Sequence, residues 1–374
     1  MRFTLSSTAL SSKLTALARV INSKNPTAIL GDFMFKTDNG TLYITASDGE
    51  NTLCSSIMLT DCDANGSFAI DNHNILEAVR GFSEQPITFD VNMTENIVNV
   101  AYLNGHFTLP VESADSYPIP ASLSDSVQVF TIKSELLLET ISRSIFATAN
   151  EELRPVMNGL YFDFVDGNLT VVASDGHKLV RNKLYNINAQ SISSFNLAKK
   201  PANLLKNMLM KDDSDVTITY DGRIAKVEFG DTIMMCRLVE GRYPNYNSVI
   251  PKNNSNVVTV DREAMLNAIK RVSPFANDSS NLIRIHVENS VMQLDAEDND
   301  FNKTAMERLA CDYNDMAMSI GFKASACTEI LSNIDSQEVR IELSDPSRAG
   351  LIVPVEQPND QEVLMLIMPM LINN

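Results

Sequence analysis

The 374-residue sequence has no tryptophan, four histidines and five cysteines, and aromatic residues make up only 7% of it. So few aromatics leave sugar-binding and base-stacking platforms poorly supplied. The cysteines are Cys54, Cys62, Cys236, Cys311 and Cys327, an odd count with no pair at C-x-x-C spacing. That argues against a disulfide framework or a structural zinc site and fits a reducing cytoplasm. Long apolar runs are missing too. The most apolar stretch, 363–372, is too short to cross a bilayer and contains Pro369. Lys13 and Arg19 interrupt the N-terminal stretch, which does not read as a signal peptide. The expectation is a soluble cytoplasmic protein with no membrane partner.

Catalytic signatures are equally scarce. No GxxxxGK, GxGxxG, GxSxG or HExxH occurs, and His73, His106, His177 and His286 form no recognisable triad with a serine or cysteine. No catalytic residue, resident metal or cofactor is expected. Positive charge is also in deficit: 30 Lys and Arg face 47 Asp and Glu, a net charge of −17. If spread evenly, that charge would oppose nucleic-acid binding, which depends on Lys and Arg neutralising phosphates.

What is present is internal repetition. Phe3-Thr4-Leu5, Phe130-Thr131-Ile132 and Val258-Thr259-Val260 each precede a helical apolar pattern. The first stripe is Leu10, Leu14, Leu17 and Ile21; the second Leu137, Ile141 and Ile145; the third Met265, Ile269 and Val272. Asp38-Asn39-Gly40 and Asp166-Gly167-Asn168 read as hairpin turns between alternating strands. Ala46-Ser47-Asp48-Gly49 recurs as Ala173-Ser174-Asp175-Gly176, and Tyr117-Pro118 recurs as Tyr243-Pro244. A period of this length is too long for a solenoid unit. It predicts an α+β protein of three tandem similar domains, 1–122, 123–250 and 251–374, each with two helices on a largely antiparallel sheet.

The charge follows this pattern. Expected helices at 8–24, 71–82, 133–148, 198–211, 261–272 and 322–334 hold 14 basic against 7 acidic residues, a net +7. The remainder holds 16 basic against 40 acidic, a net −24. Helices sharing one face would attract phosphates while the acidic remainder repelled DNA elsewhere. No base-reading motif accompanies them, so contacts would be to phosphates and independent of sequence.

One rival reading is a metal-dependent nuclease or hydrolase using Asp295, Glu297 and Asp298, with Asp300 beside them. As a calcium loop this cluster lacks glycine at the sixth position and glutamate at the twelfth. Asp212, Asp213 and Asp215 read as a helix-to-strand turn.

Several local motifs converge with the repeats. They are Met1-Arg2-Phe3-Thr4, Arg154-Pro155-Val156-Met157-Asn158-Gly159, Ala173-Ser174-Asp175-Gly176-His177-Lys178-Leu179, Leu238-Val239-Glu240-Gly241-Arg242-Tyr243-Pro244-Asn245-Tyr246 and Met368-Pro369-Met370. In this order and spacing the chain resembles the bacterial sliding clamps, the beta subunits of DNA polymerase III, over essentially its whole length. The resemblance implies a non-catalytic processivity factor: a head-to-tail homodimer closing a ring around duplex DNA, helices inside and sheets outside. It also implies an apolar site for short peptides of the replicative polymerase, the clamp loader and other partners. The residues matching that site are Met157, Ser174, His177, Leu179, Pro244, Val249, Met368, Pro369 and Met370, with Ser174 and His177 as polar rim contacts. By position, Lys24, Arg80, Lys199 and Lys200 would face DNA, followed by Lys13, Lys206 and Arg271. Phe107 and Leu109 would meet the partner subunit near its Phe275. The chain departs from the family pattern at Asn25, His73-Asn74, Pro155-Val156, Asn247-Ser248 and the ending Leu371-Ile372-Asn373-Asn374, which bears on individual contacts rather than on the fold.

Overall fold

The computed structural model describes residues 1–151, 153–187, 192–211 and 213–372. Asp212 and the terminal Asn373 and Asn374 lie outside them. Six α-helices are present among the described residues: α1 (Ser7–Leu17), α2 (Asn72–Arg80), α3 (Ser134–Ser144), α4 (Lys199–Met208), α5 (Arg262–Val272) and α6 (Ala324–Ser332). Each third of the chain supplies two. The apolar stripes are buried as their period requires: Leu10, Leu14 and Leu17 on α1, Leu137 and Ile141 on α3, Met265, Ile269 and Val272 on α5. Side-chain caps fix three of the starts. Ser6 accepts from the Ala9 N–H, Asp71 from Asn74 and Asp261 from Ala264.

Several helices are shorter than their apolar periods suggest. The first ends at Leu17 and a single 3-10 turn carries the chain to Val20, so Lys24 stands on a turn beyond it. Asn22 makes that turn: its side-chain oxygen accepts from the Lys24 N–H at 3.0 Å, and its carbonyl accepts from the Asn25 N–H at 3.0 Å. Pro26 follows and disfavours a helical Asn25. Lys133 ends a strand, Lys211 lies past α4 and Lys323 is the N-cap of α6. The six α-helices therefore hold 9 basic and 5 acidic residues, a net +4 against −21 elsewhere, so the partition is weaker than expected but keeps its sign.

The strands form four antiparallel sheets within two compact units. The first unit comprises residues 1–135 and 203–238. Its five-stranded sheet ends in Gly105–Pro110 at one edge. Its eight-stranded sheet joins two thirds of the chain, because Thr232–Arg237 pairs with Asn51–Met58, Thr232 opposite Ser55. Phe3, Phe35, Phe68 and Phe89 fill its core, with the Phe3 and Phe89 rings stacked at 5.0 Å.

The second unit comprises residues 136–202 and 239–374. Its eight-stranded sheet joins Lys178–Leu184 to Gln361–Ile367, Leu179 opposite Leu366. Its four-stranded sheet has Lys303–Ala310 at one edge and Met318–Lys323 at the other. Strands of one repeat thus divide between two sheets, a pairing the local sequence pattern does not reveal. All five cysteines are unpaired; burial pushes Cys236 and Cys327 up to about 12. Among the described residues no helix is long and apolar enough to cross a membrane.

Candidate partner and DNA surfaces

The nine residues matched to a peptide site all fall within the second compact unit. Its eight-stranded sheet carries a buried apolar cluster: Val172, Leu179, Leu351, Val353, Leu364 and Leu366, joined by Tyr243 and Ala349. Tyr161, Tyr246 and Ile250 pack against it. The Tyr161 and Tyr243 rings stack at 4.5 Å and 6°, and the Tyr246 hydroxyl donates to Asp163 at 2.8 Å. Pro244 and exposed Val249 belong to the segment that lays these tyrosines on the cluster.

The turn 174–178 borders the cluster. The Ser174 hydroxyl accepts from the Gly176 N–H at 3.1 Å and donates to the Lys178 carbonyl at 2.9 Å. One Asp175 oxygen accepts from the N–H groups of His177 and Lys178. Lys178 closes the turn by pairing with Asp175 at 2.6 Å and with Glu329 of α6 at 3.1 Å. These bonds outweigh the burial of Asp175 and hold its carboxyl below the usual carboxylate range. The Ser174 hydroxyl, expected from sequence as a polar rim contact, is engaged in building this turn. His177 is exposed and its carbonyl accepts from the Met368 N–H at 2.8 Å. Met370 donates its N–H to the Gly321 carbonyl at 2.8 Å. Met157 is buried at the end of the 154–157 turn, whereas Met368 is 41% exposed beside half-buried Pro369 and Met370. The cluster is apolar and Met368 exposes a flexible thioether, side-chain chemistry suited to adaptable apolar recognition.

Three of the basic candidates form ion pairs with named acids. Lys13 forms an ion pair with Asp231, so its charge is engaged inside the first unit instead of standing open. Arg271 pairs with Glu307 at 2.5 Å and Arg80 with Glu77 at 3.2 Å. Lys24, Lys200 and Lys206 are exposed and Lys199 is half-buried. Lys199 and Lys200 open α4, whose first turn contains no acidic residue.

The interface candidates lie at or beside sheet edges. Phe107 and Leu109 are half-buried on the edge strand Gly105–Pro110, where Phe82, Tyr102 and Phe107 group together. Phe275 is 39% exposed, and the edge strand Lys303–Ala310 of the same unit exposes Met306.

The acidic cluster does not assemble as metal chemistry requires. Asp298 is buried at a strand end and accepts from the Asp300 N–H at 3.1 Å, the bond that Ser174 makes to Gly176. Asp295, Glu297 and Asp300 line an open cleft of about 870 Å³ together with Arg284, Met306 and Leu371. Among the described residues no three His, Cys, Asp or Glu side chains are grouped to hold a metal ion.

Comparison with known proteins agrees with this architecture. Family models for the N-terminal, central and C-terminal domains of the DNA polymerase III beta subunit match residues 1–121, 131–245 and 247–371. The chain is 25% identical to the beta sliding clamps of Pseudomonas aeruginosa and Haemophilus influenzae, covering 99% of this chain and 100% of each relative. A crystal structure of the Pseudomonas aeruginosa DNA polymerase sliding clamp with ligand superposes with a TM-score of 0.94 at 25% identity, covering all of both chains. Another structure of that organism's clamp, bound to griselimycin, matches at 0.93 with 24% identity over both full lengths. With three consecutive domains matched along nearly the whole chain, this protein belongs to the DNA polymerase III beta subunit family.

Proposed function

We propose that this chain is a DNA sliding clamp, a non-catalytic processivity factor that encircles duplex DNA as a homodimer and tethers the replicative polymerase. The observation that carries the reading is the family match through all three domains, in order, across residues 1–371. The charge distribution supports it: helices are net basic within a molecule of charge −17. So few cations favour loose, mobile phosphate contacts, and topological linkage supplies retention that such contacts cannot. The dimer forms head to tail by joining the Gly105–Pro110 edge of one subunit to the Lys303–Ala310 edge of the other, a heterologous contact that two copies close. Partner peptides dock on the cluster around Leu179, Tyr243 and Leu366, against Met368 and Met370.

Loading onto nicked circular DNA by a clamp loader tests the encirclement. The protein should stay bound through a wash in about 1 M salt, where the screening length is about 3 Å, and should leave when the circle is cut. Equal loss from circular and linear DNA would refute encirclement.

A further inference from the structure

The C-terminal segment crosses from one sheet of the second unit to the other. It is held by two backbone bonds, Met368 N–H to His177 O and Met370 N–H to Gly321 O, both 2.8 Å. Between them Pro369 has no N–H, so the span leaves no donor unsatisfied. Past them Leu371 is 85% exposed. The first support is rigid, because Asp175, Lys178 and Glu329 fix the turn containing His177. The second is the middle of the edge strand Met318–Lys323, where Gly321 pairs with Arg284 on one side and bridges Met370 on the other.

Gly321 does not adopt a positive φ, so its backbone conformation is open to alanine. Space is what forbids a side chain. A Cβ there would lie 2.8 Å from the Met370 carbonyl oxygen, 2.8 Å from Leu282 Cδ1 and 3.0 Å from Ile372 Cγ1. Leu282 can rotate its terminus away; the Met370 carbonyl is backbone and moves only if the segment moves.

We infer that Gly321 is a positioning residue for partner recognition: its bare Cα seats the C-terminal strap so that Met368 and Met370 border the apolar docking surface. The inference rests on the peptide-docking reading above. Gly321 touches no peptide; it acts through the strap.

Four proteins separate the possibilities: the full-length parent, full-length G321A, a truncation lacking 368–374, and G321A in that truncation. Griselimycin serves as the binding probe in calorimetry, and amide hydrogen exchange reports the strap without a ligand. G321A should accelerate exchange at Met370 and weaken griselimycin binding about tenfold, the equivalent of one lost backbone hydrogen bond and its seat. In the truncated protein it should change nothing further. Unchanged Met370 exchange in G321A overturns the inference, as does an equal affinity loss in the truncated background. If the parent binds no griselimycin, the docking reading fails, while the exchange result still judges the strap. If G321A misfolds alone but folds when truncated, the strap is the obstruction and the inference stands. If it misfolds in both while the simple truncation folds, the conflict lies with Leu282 and the inference fails.

Discussion

Asp32 sits where one carboxylate meets two others. Burial, and then the charges of Glu112 and Asp71, raise its pKa from 3.8 to about 6. Asp71 is its direct cross-strand partner and also caps α2, so the crowding has a structural reason. The fold holds this proton more tightly than the unfolded chain does. As pH rises from about 4 to 6, the unfolded chain releases it first and stability falls; above 6 the penalty is constant. D32N should therefore raise the melting temperature at pH 7.5 and leave it nearly unchanged near pH 4. Melting curves at both values check this, and an equal shift at both would assign the effect to packing. Nothing in the local pattern of Gly31-Asp32-Phe33 announces this crowding, because it depends on strand register and on Glu112 bridging to Ala69. The turns were far more legible. Ser47 and Ser174 each accept from the glycine two residues on at 3.1 Å, as their matching Ser-Asp-Gly sequences suggest. The third hairpin turn went unread because Asn289 and Ser290 take positive φ there without a glycine.

At the scale of elements, helix faces were readable and helix ends were not. Burial of a stripe follows from period alone, whereas α1 ends at Leu17 and the chain passes through a 3-10 turn before Asn22, whose side chain accepts from the Lys24 N–H and turns it away from a helical path. Edge strands show a related limit: alternation identifies a strand, but only the assembled sheet reveals that it has no neighbour on one side. Gly105–Pro110 and Lys303–Ala310 are both sheet edges with partly exposed apolar residues, the state in which a strand seeks a partner. If they join two subunits, a carboxylate on this edge becomes a buried, unpaired charge. L109D should cost on the order of 2 kcal/mol or more of association energy, roughly thirtyfold in dimer affinity. Sedimentation equilibrium would show a shift toward monomer, with unchanged circular dichroism establishing that each subunit still folds. A parent protein that is already monomeric, or an L109D dimer of parental affinity, would refute this edge pairing.

For the whole molecule, the repeat spacing disclosed three similar units before any coordinates, yet the chain's compact units number two and cut through the middle third. The ladders responsible pair residues about 180 positions apart, such as Ser55 with Thr232 and Leu179 with Leu366, and edge complementarity at that range leaves no local mark. Charge is also a whole-molecule property, and it places a test at α4. Lys199 and Lys200 occupy its first turn, where the helix dipole disfavours cations by about 0.3–1 kcal/mol each at an exposed site. The double variant K199E/K200E should weaken DNA association, and its thermal stability is to be measured beside that loss. If each lysine neutralises one phosphate, the slope of log affinity against log salt should become shallower by about 1.8. Measuring both quantities on one protein separates the roles. Lower stability with an unchanged salt slope would make these lysines part of the fold, whereas retained stability with a reduced slope requires that they meet phosphate.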